Sequence, residues 1–204
     1  MSRLTSLTAA TRSELPPPCV SCMFWQHDRL ISEERRKEAW SEAFERRHGS
    51  FGRVLRDGME FRGMVQYGPA ASFPRALALP AGPPSRDAAL VTCTFLEGDD
   101  PQGACERLLL EALADLKGRD VAAVEAFSLN YPEEVPAHER FVGHHTLFDR
   151  GFLERLGFSP IRTSGQVALM RIELGGLIAG PGLLERALRL GRANGETGLR
   201  GAPA

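Results

Sequence analysis

The 204-residue sequence has no long apolar run and almost no net charge, and each shortage excludes a class of protein. No segment approaches the roughly 18 uninterrupted apolar residues of a membrane-spanning helix, and the first residues contain no apolar stretch typical of a secretory signal. Basic and acidic side chains are interspersed and sum to a formal charge of −1, which gives no general attraction to nucleic acid or to an acidic membrane. We therefore expect a cytoplasmic protein that binds neither.

Cysteine is also scarce. Four cysteines in this length do not make the dense framework of a small secreted protein, and Cys93 and Cys105 fall inside predicted core elements, so free thiols are expected. Cys19 and Cys22 have the two-residue gap that lets two thiolates bind one metal ion, with His27 as a third candidate ligand. A second pair with that spacing is absent. A zinc site or a redox dithiol at Cys19 and Cys22 is therefore an alternative to the main interpretation given below.

The hydrophobic fraction of 43% is sufficient for one core that needs no metal or disulfide. Residues 1–18 are polar, end in three consecutive prolines and are predicted to be a disordered tail, as are residues 194–204. Residues 19–175 are predicted to form a single domain. Residues 176–193 predict a helix with leucines on one side, which we expect to pack on the domain or on a second copy of the chain in a homodimer.

The first part of the domain has the pattern of a strand, a helix and a hairpin. The apolar run at 22–26 is a candidate strand. The helix after it is predicted to begin at the N-cap Ser32 and to end at Gly49. Its inward face is predicted to consist of three apolar residues, Trp40, Ala43 and Phe44. The dipeptide Asp57-Gly58 between two apolar segments predicts a tight β-hairpin.

The stretch 89–127 has the most regular pattern in the chain. An apolar run is followed by the turn sequence GDDPQG, a helix and a second apolar run, which together predict a β-loop-α-β unit. The apolar residues of the helix form one buried face: Cys105, Leu108, Leu109, Ala112, Leu113 and Leu116. The loop of such a unit presents backbone N–H groups at the start of the helix, where anions are favoured.

The segments around this unit are less regular. Residues 69–88 predict an irregular connector, because their prolines interrupt both helix and strand. Residues 128–146 predict a long loop of the kind that covers a site, followed by a short helix and a strand at 166–174.

The order of these elements resembles the GCN5-related N-acetyltransferase (GNAT) superfamily, and FLERLGF at 152–158 is similar to the end of its fourth helix. The opening CVSCMFWQ, KEAW in the first helix, FPRALALP and VEAF are similar to a bacterial subgroup that begins with C-x-x-C-x-F-W. The resemblance implies a single α+β domain with a mixed, mostly antiparallel central sheet flanked by helices.

The resemblance also implies an acyl-CoA co-substrate, acetyl-CoA first among them, held by backbone groups after the central strand. On this chain the corresponding positions are Leu96, Gln102, Gly103, Ala104 and Cys105, of which Gly103 matches the central glycine of the superfamily pattern. The implied activity is direct transfer of an acyl group to an amine of a small molecule or peptide.

Three residues of the same turn favour a different function. Asp99 and Asp100 oppose a bound phosphate by charge, and Pro101 lacks the N–H that another residue would offer. The alternative is therefore a non-catalytic GNAT-fold protein with a binding or regulatory role.

Glu125 is the candidate base, because a carboxylate among apolar neighbours has a raised pKa and can take a proton from an ammonium substrate. The opposing interpretation is a structural ion pair with an arginine such as Arg53, Arg62 or Arg75.

A candidate acid is also needed, because Leu153 stands where the superfamily commonly has a tyrosine that protonates the leaving thiolate. Tyr131 and either His144 or His145 are the candidate replacements, since a phenol or an imidazole in these segments can donate a proton.

Overall fold

The computed structural model describes residues 2–175, which form one nine-stranded mixed sheet with helices on both faces. The strands are β1 Ser2–Leu7, β2 Gly52–Asp57, β3 Glu60–Pro69, β4 Ala88–Leu96, β5 Ala123–Leu129, β6 Gly143–His145, β7 Phe148–Asp149, β8 Ser159–Ser164 and β9 Val167–Glu173. Their order is β1-β2-β3-β4-β5-β9-β8, with β6 beside β4 and β7 beside β5. Within this sheet the β4–β5 and β5–β7 pairs are parallel and the others antiparallel, which confirms the expected mixed architecture.

The helices are α1 Pro17–Ser21, α2 Glu34–His48, α3 Pro101–Gly118 and α4 Arg150–Arg155. One core lies between the sheet and the helices α3 and α4 and is largely aliphatic. The other lies under α1, α2 and the connector and includes the rings of Trp25, Phe44, Phe51, Phe73 and Phe127. The two cores place β4 and β5 at the centre of the protein, covered on both faces.

Helix α3 has the predicted buried face. Its six predicted core residues are at most 4% exposed: Cys105, Leu108, Leu109, Ala112, Leu113 and Leu116. Pro101 occupies the first turn, where the missing N–H removes no helical hydrogen bond, and the Asp100 side chain caps the helix by accepting from the Gly103 N–H.

The predicted hairpin between β2 and β3 is confirmed. Gly58 has a φ of +59°, in the left-handed region that glycine adopts without penalty. At the other end of the sheet, the predicted strand at 166–174 corresponds to β9, and β8 before it is an edge strand in which all six residues are exposed.

Helix α2 differs from its prediction in two respects. Its N-cap is Glu33 rather than Ser32, and its buried residues are Lys37, Ser41 and Phe44, whereas Ala43 is exposed. The buried positions follow the helical spacing of three and four residues, so the inward stripe passes through a lysine and a serine that the apolar pattern did not include.

The prediction of a disordered tail at 1–18 is wrong for the residues that the structure describes. Strand β1 pairs with the whole of β2, from Ser2 opposite Asp57 to Leu7 opposite Gly52, and Leu7 is fully buried. Without β1, β2 would be an unpaired edge. This short, largely polar stretch forms a strand because the backbone of β2, some 45 residues further along the chain, provides its hydrogen-bond partners.

The predicted strand at 22–26 is also wrong. These residues turn after α1, and Cys22 makes a single isolated bridge to Ser32. The apolar run is explained by burial of Met23 and Trp25 in a non-strand conformation. The predicted helix at 176–193 and tail at 194–204 lie outside the described residues.

Between residues 2 and 175, none of the helices has both the length and the apolar character needed to cross a membrane.

We predict that Gly52→Ala lowers the free energy of unfolding by about 2 kcal/mol, because a Cβ on Gly52 would lie 2.2 Å from the Val65 carbonyl oxygen in the neighbouring strand. The matched control is Gly118→Ala, in α3, where nothing lies within 4 Å of the added Cβ. Urea unfolding should show a loss for the first variant and no loss for the second. Equal stabilities would contradict the close approach of β2 and β3.

Candidate functional site

The two central parallel strands separate halfway along their length. Strand β4 pairs with β5 only from Ala88 to Val91, opposite Ala123 to Ala126. The pairing of β4 with β3 shifts register at the same level, between the Val91 and Cys93 positions, which leaves Thr92 as a bulge. The bulge bends β4, and the backbone edge of its second half turns away from β5.

Strand β6 occupies this exposed edge. Thr94, Phe95 and Leu96 pair antiparallel with His145, His144 and Gly143 respectively. On the other side of the gap, β7 pairs with Ser128 and Leu129 of β5. The predicted long loop thus returns to the sheet and fills the space between the two central strands.

A cavity of about 410 Å³ lies at the start of α3, and we refer to it as the α3 cavity. It is lined by five carboxylate side chains, Asp57, Glu97, Asp99, Asp100 and Glu106, and by two arginines, Arg62 and Arg107. Arg62 is paired with Glu60 at 2.7 Å. Its guanidinium also packs so closely on Gly98 that a Cβ added to this glycine would lie 2.6 Å from a guanidinium nitrogen. The cavity therefore has an excess of negative charge.

The first turn of α3 uses its own groups to satisfy its backbone. The Gly103 N–H donates to the Asp100 carboxylate at 2.9 Å, and the Ala104 N–H donates to the Asp100 carbonyl at 3.1 Å. Of the predicted cofactor residues, Gly103 and Ala104 line the α3 cavity, whereas Cys105 is buried in the core and Leu96 pairs with Gly143. A diphosphate at this turn would have to displace the Asp100 carboxylate and would lie among four further carboxylates, which weakens its binding.

Glu125 is completely buried, and both of its carboxylate oxygens have partners. Oε2 accepts from the Ser85 N–H at 2.8 Å, and Oε1 lies 3.1 Å from the Arg171 guanidinium, which also pairs with Asp87 and Glu173. The partner is thus not one of the three arginines named from the sequence. These contacts tie the connector to β5 and β9 and favour a structural role for Glu125.

Tyr131 and His145 form a hydrogen-bonded pair, with 3.3 Å between the phenol oxygen and Nδ1. His145 Nε2 lies 2.9 Å from the Val142 carbonyl, so Nε2 carries the proton and Nδ1 accepts from Tyr131. Burial, together with the nearby Asp149 carboxylate, raises the pKa of Tyr131. His144 lies opposite Phe95, on the other face of the sheet from His145 by strand alternation.

A second, much smaller cavity of about 10 Å³ lies between α1, α2, β3, β4 and β6, and we call it the Lys37 cavity. It is lined by Cys19, Cys22, Trp25, Gln26, Lys37, Met64, Gln66, Cys93 and His144. Lys37 is 4% exposed, and its ammonium donates to Gln66 Oε1 at 3.2 Å and lies 4.8 Å from the centre of the Trp40 ring. Desolvation lowers the pKa of Lys37 to about 8.

The structure brings Cys19 and Cys22 together with Cys93, but not with His27, whose ring pairs with Asp28 at 2.7 Å. Burial raises the pKa of Cys19 and of Cys93 to about 12 in each case, so these thiols are neutral. Among residues 2–175, no group of three or more His, Cys, Asp and Glu side chains is placed to hold a metal ion. The zinc alternative has no support in this arrangement.

Sequence patterns did not identify the Lys37 cavity. Lys37 lies within the charged run EERRKEAW. Its charged neighbours are exposed, so the sequence pattern predicts that this lysine is exposed as well. Two features of the sequence could have indicated that Lys37 is buried. Its spacing from Phe44 places both residues on one face of the helix, and the chain has only one other lysine, Lys117.

A mixed sheet whose parallel central strands separate at a bulge, beside the start of a helix, defines the GNAT fold. The chain has this fold and resembles several solved structures over 85% of its length. The Salmonella typhimurium protein yncA, in a structure with its cofactor acetyl-CoA, is 12% identical, is covered over 94% of its chain and has a TM-score of 0.52.

Two other structures have the same fold. An N-acetyltransferase from Staphylococcus aureus Mu50 is 9% identical and is covered over 99% of its chain, with a TM-score of 0.52. The ribosomal-protein-S18-alanine N-acetyltransferase from Escherichia coli is 14% identical and is covered over 94%, with a TM-score of 0.50. No family model matches the sequence, and no curated protein matches it.

We predict that Glu125→Gln lowers the free energy of unfolding by about 2 kcal/mol, because it removes a buried charge-assisted bond to Arg171. The control is Glu173→Gln, an exposed partner of the same arginine, which should cost less than about 0.5 kcal/mol. Thermal or urea unfolding measures both. Unchanged stability of Glu125→Gln would remove the structural role and restore Glu125 as a candidate base.

We predict that Lys37→Met raises the free energy of unfolding by about 2 kcal/mol near neutral pH, because it replaces a buried charge that has no carboxylate partner among residues 2–175. The folded pKa of about 8 lies below the ordinary lysine pKa of 10.5, so the folded protein releases this proton first and the wild type gains stability as pH rises between these values. The advantage of the variant should therefore shrink above pH 8. Urea unfolding of both proteins across this range measures it, and a constant difference would contradict a lowered pKa.

Proposed function

We propose that this protein is an acyl-CoA-dependent N-acyltransferase that transfers an acyl group, acetyl first among candidates, directly to an amine of a small molecule or peptide. The observation that carries the proposal is the separation of β4 from β5 after Val91, which leaves the Thr94–Leu96 edge paired with the short strand β6 instead of β5, next to Glu97 in the lining of the α3 cavity. The yncA structure, which has the same fold, holds acetyl-CoA. Acyl-CoA would supply the activated acyl group.

The second half of the β4 edge supports binding of an extended ligand. It already pairs with an extended segment, the three residues of β6, which lie at the end of a long loop. A ligand with amide groups along an extended chain can make the same backbone hydrogen bonds. The proposal therefore requires β6 to leave the edge when acyl-CoA binds at Leu96.

Release of β6 would also carry His144 and His145 away from β4. Of the candidate catalytic residues, Tyr131 and Glu125 lie outside the displaced strand, and Glu125 is held by Arg171 and Ser85. We therefore propose that Tyr131 gives its proton to the leaving CoA thiolate as the C–S bond breaks and the amide bond forms, and that the proton lost by the amine passes through water to restore the phenol. Its raised pKa keeps the phenol protonated near neutral pH.

A second candidate function is a non-catalytic binding or regulatory role, and a specific observation favours it. Asp100 already caps the Gly103 N–H, and the α3 cavity has five carboxylates against two arginines. Where acyltransferases of this fold would receive a diphosphate, this chain offers a negative surface. The same fold would then serve to bind a different ligand or partner.

Calorimetric titration with acetyl-CoA separates the two functions. We expect wild-type protein to bind weakly, and the double variant Asp99→Asn, Asp100→Asn to bind at least about tenfold more tightly, because asparagine still caps α3 but removes two charges from the cavity.

Gly143→Pro should also tighten binding. Gly143 has a φ of +83° that proline is unable to adopt, so this variant frees the β4 edge.

The control is Asp28→Asn, an exposed carboxylate near His27 and outside both cavities, which should leave the affinity unchanged. No heat with any of these proteins at millimolar acetyl-CoA, and no competition by CoA, would remove the transferase proposal and leave the binding role.

A further inference from the structure

The Lys37 cavity has features that the proposed acyl transfer does not use. It lies on the α2 face of the sheet, and the α3 cavity lies at the start of α3. Its lining side chains come from five separate parts of the chain, which converge on one small space.

The unpaired polar atoms in this lining are all donors. Trp25 Nε1, Gln26 Nε2 and Gln66 Nε2 are buried nitrogens without a hydrogen-bond partner among the described residues. Their side chains are 2%, 8% and 2% exposed respectively. A buried N–H without an acceptor costs stability, so three around one cavity indicate an absent acceptor.

The charge in the lining agrees with the donors. Lys37 contributes an ammonium with one neutral acceptor, Gln66 Oε1, and Arg12 lies close enough to disfavour that charge further. The other titratable groups facing it are Cys19, Cys22, Cys93 and His144. Burial keeps Cys19 and Cys93 protonated. Partial desolvation, together with the neighbouring His145 and Lys37, lowers the pKa of His144, so Cys19, Cys93 and His144 provide no compensating negative charge.

The size of the cavity limits the occupant. A volume of about 10 Å³ corresponds to about one water-sized atom. We propose that the Lys37 cavity is a binding site for one negatively charged acceptor atom, either a halide ion or one oxygen of a carboxylate whose remainder lies at the exposed His144. A water molecule fits the volume, but it would leave the ammonium without a counter-charge. The inference does not depend on acyl-CoA binding.

The two lysines of the chain make the test direct. Protein labelled with [13Cε]-lysine gives two side-chain signals, which Lys117→Arg assigns. The pKa of each lysine is followed in a buffer of zwitterionic acid and a large organic base, then with chloride or formate added at decimolar concentration. The anion that binds should raise the pKa of Lys37 by about one unit, and Lys117 should not move. Chloride alone acting identifies a halide site, and formate alone acting identifies a carboxylate site.

Trp25→Phe removes one N–H and keeps a ring to pack on Phe127, so it should weaken binding of that anion about fivefold or more. The matched control is Trp40→Phe. This ring lies over the ammonium but does not line the cavity, so the anion affinity should be retained.

Three results would overturn the proposal. The first is a Lys37 pKa that neither anion moves. The second is an anion affinity that is the same in the Trp25→Phe variant as in the wild type, provided that both proteins have the same urea unfolding midpoint. The third is stoichiometric metal bound by the cysteines in the purified protein. None of these bears on acetyl-CoA titration, so failure of this site and failure of the transferase proposal are distinguishable.

Discussion

The bulge at Thr92 is the constraint on which the central architecture depends. It ends the parallel pairing of β4 with β5 and leaves the second half of β4 with a free backbone edge inside the protein. Buried N–H and C=O groups need partners, so the chain brings β6 back to this edge. The loop that delivers β6 is itself anchored, because Arg140 binds the Val135 carbonyl and the Asp149 carboxylate that caps α4.

Arginine side chains pair with carboxylates that are buried or partly buried, among them Asp115 and Glu125. Asp115 on α3 receives Arg53, Arg119 and the Tyr67 hydroxyl, which joins the helix to β2 and β3. Glu125 receives Arg171 in the same manner at the opposite end of the sheet. The planar guanidinium donates to several acceptors at once and suits such sites. Lys37 differs from all of these groups, because it is a buried cation without an anion among the described residues.

The sequence predicted the parts of the fold that local periodicity determines. The buried face of α3 and the hairpin at Gly58 depend on neighbours within a few residues, and both are confirmed. Strand β1 and strand β6 could not be predicted, because each is created by the backbone edge of a distant partner. The partner of Glu125 was missed for the same reason, since Arg171 lies 46 residues away. Asp99 and Asp100 line the α3 cavity, as their place in the turn led us to expect, whereas the bond by which Asp100 caps the Gly103 N–H was not predicted.

The pairing of β1 with β2 has a consequence for how the sheet meets other chains. It makes β1 one outer strand of the sheet that residues 2–175 form, and β8 is the other. Pro160 stands in that strand at a register shift and has no N–H to donate. The β8 end of the sheet is therefore a poor template for β-pairing with another molecule.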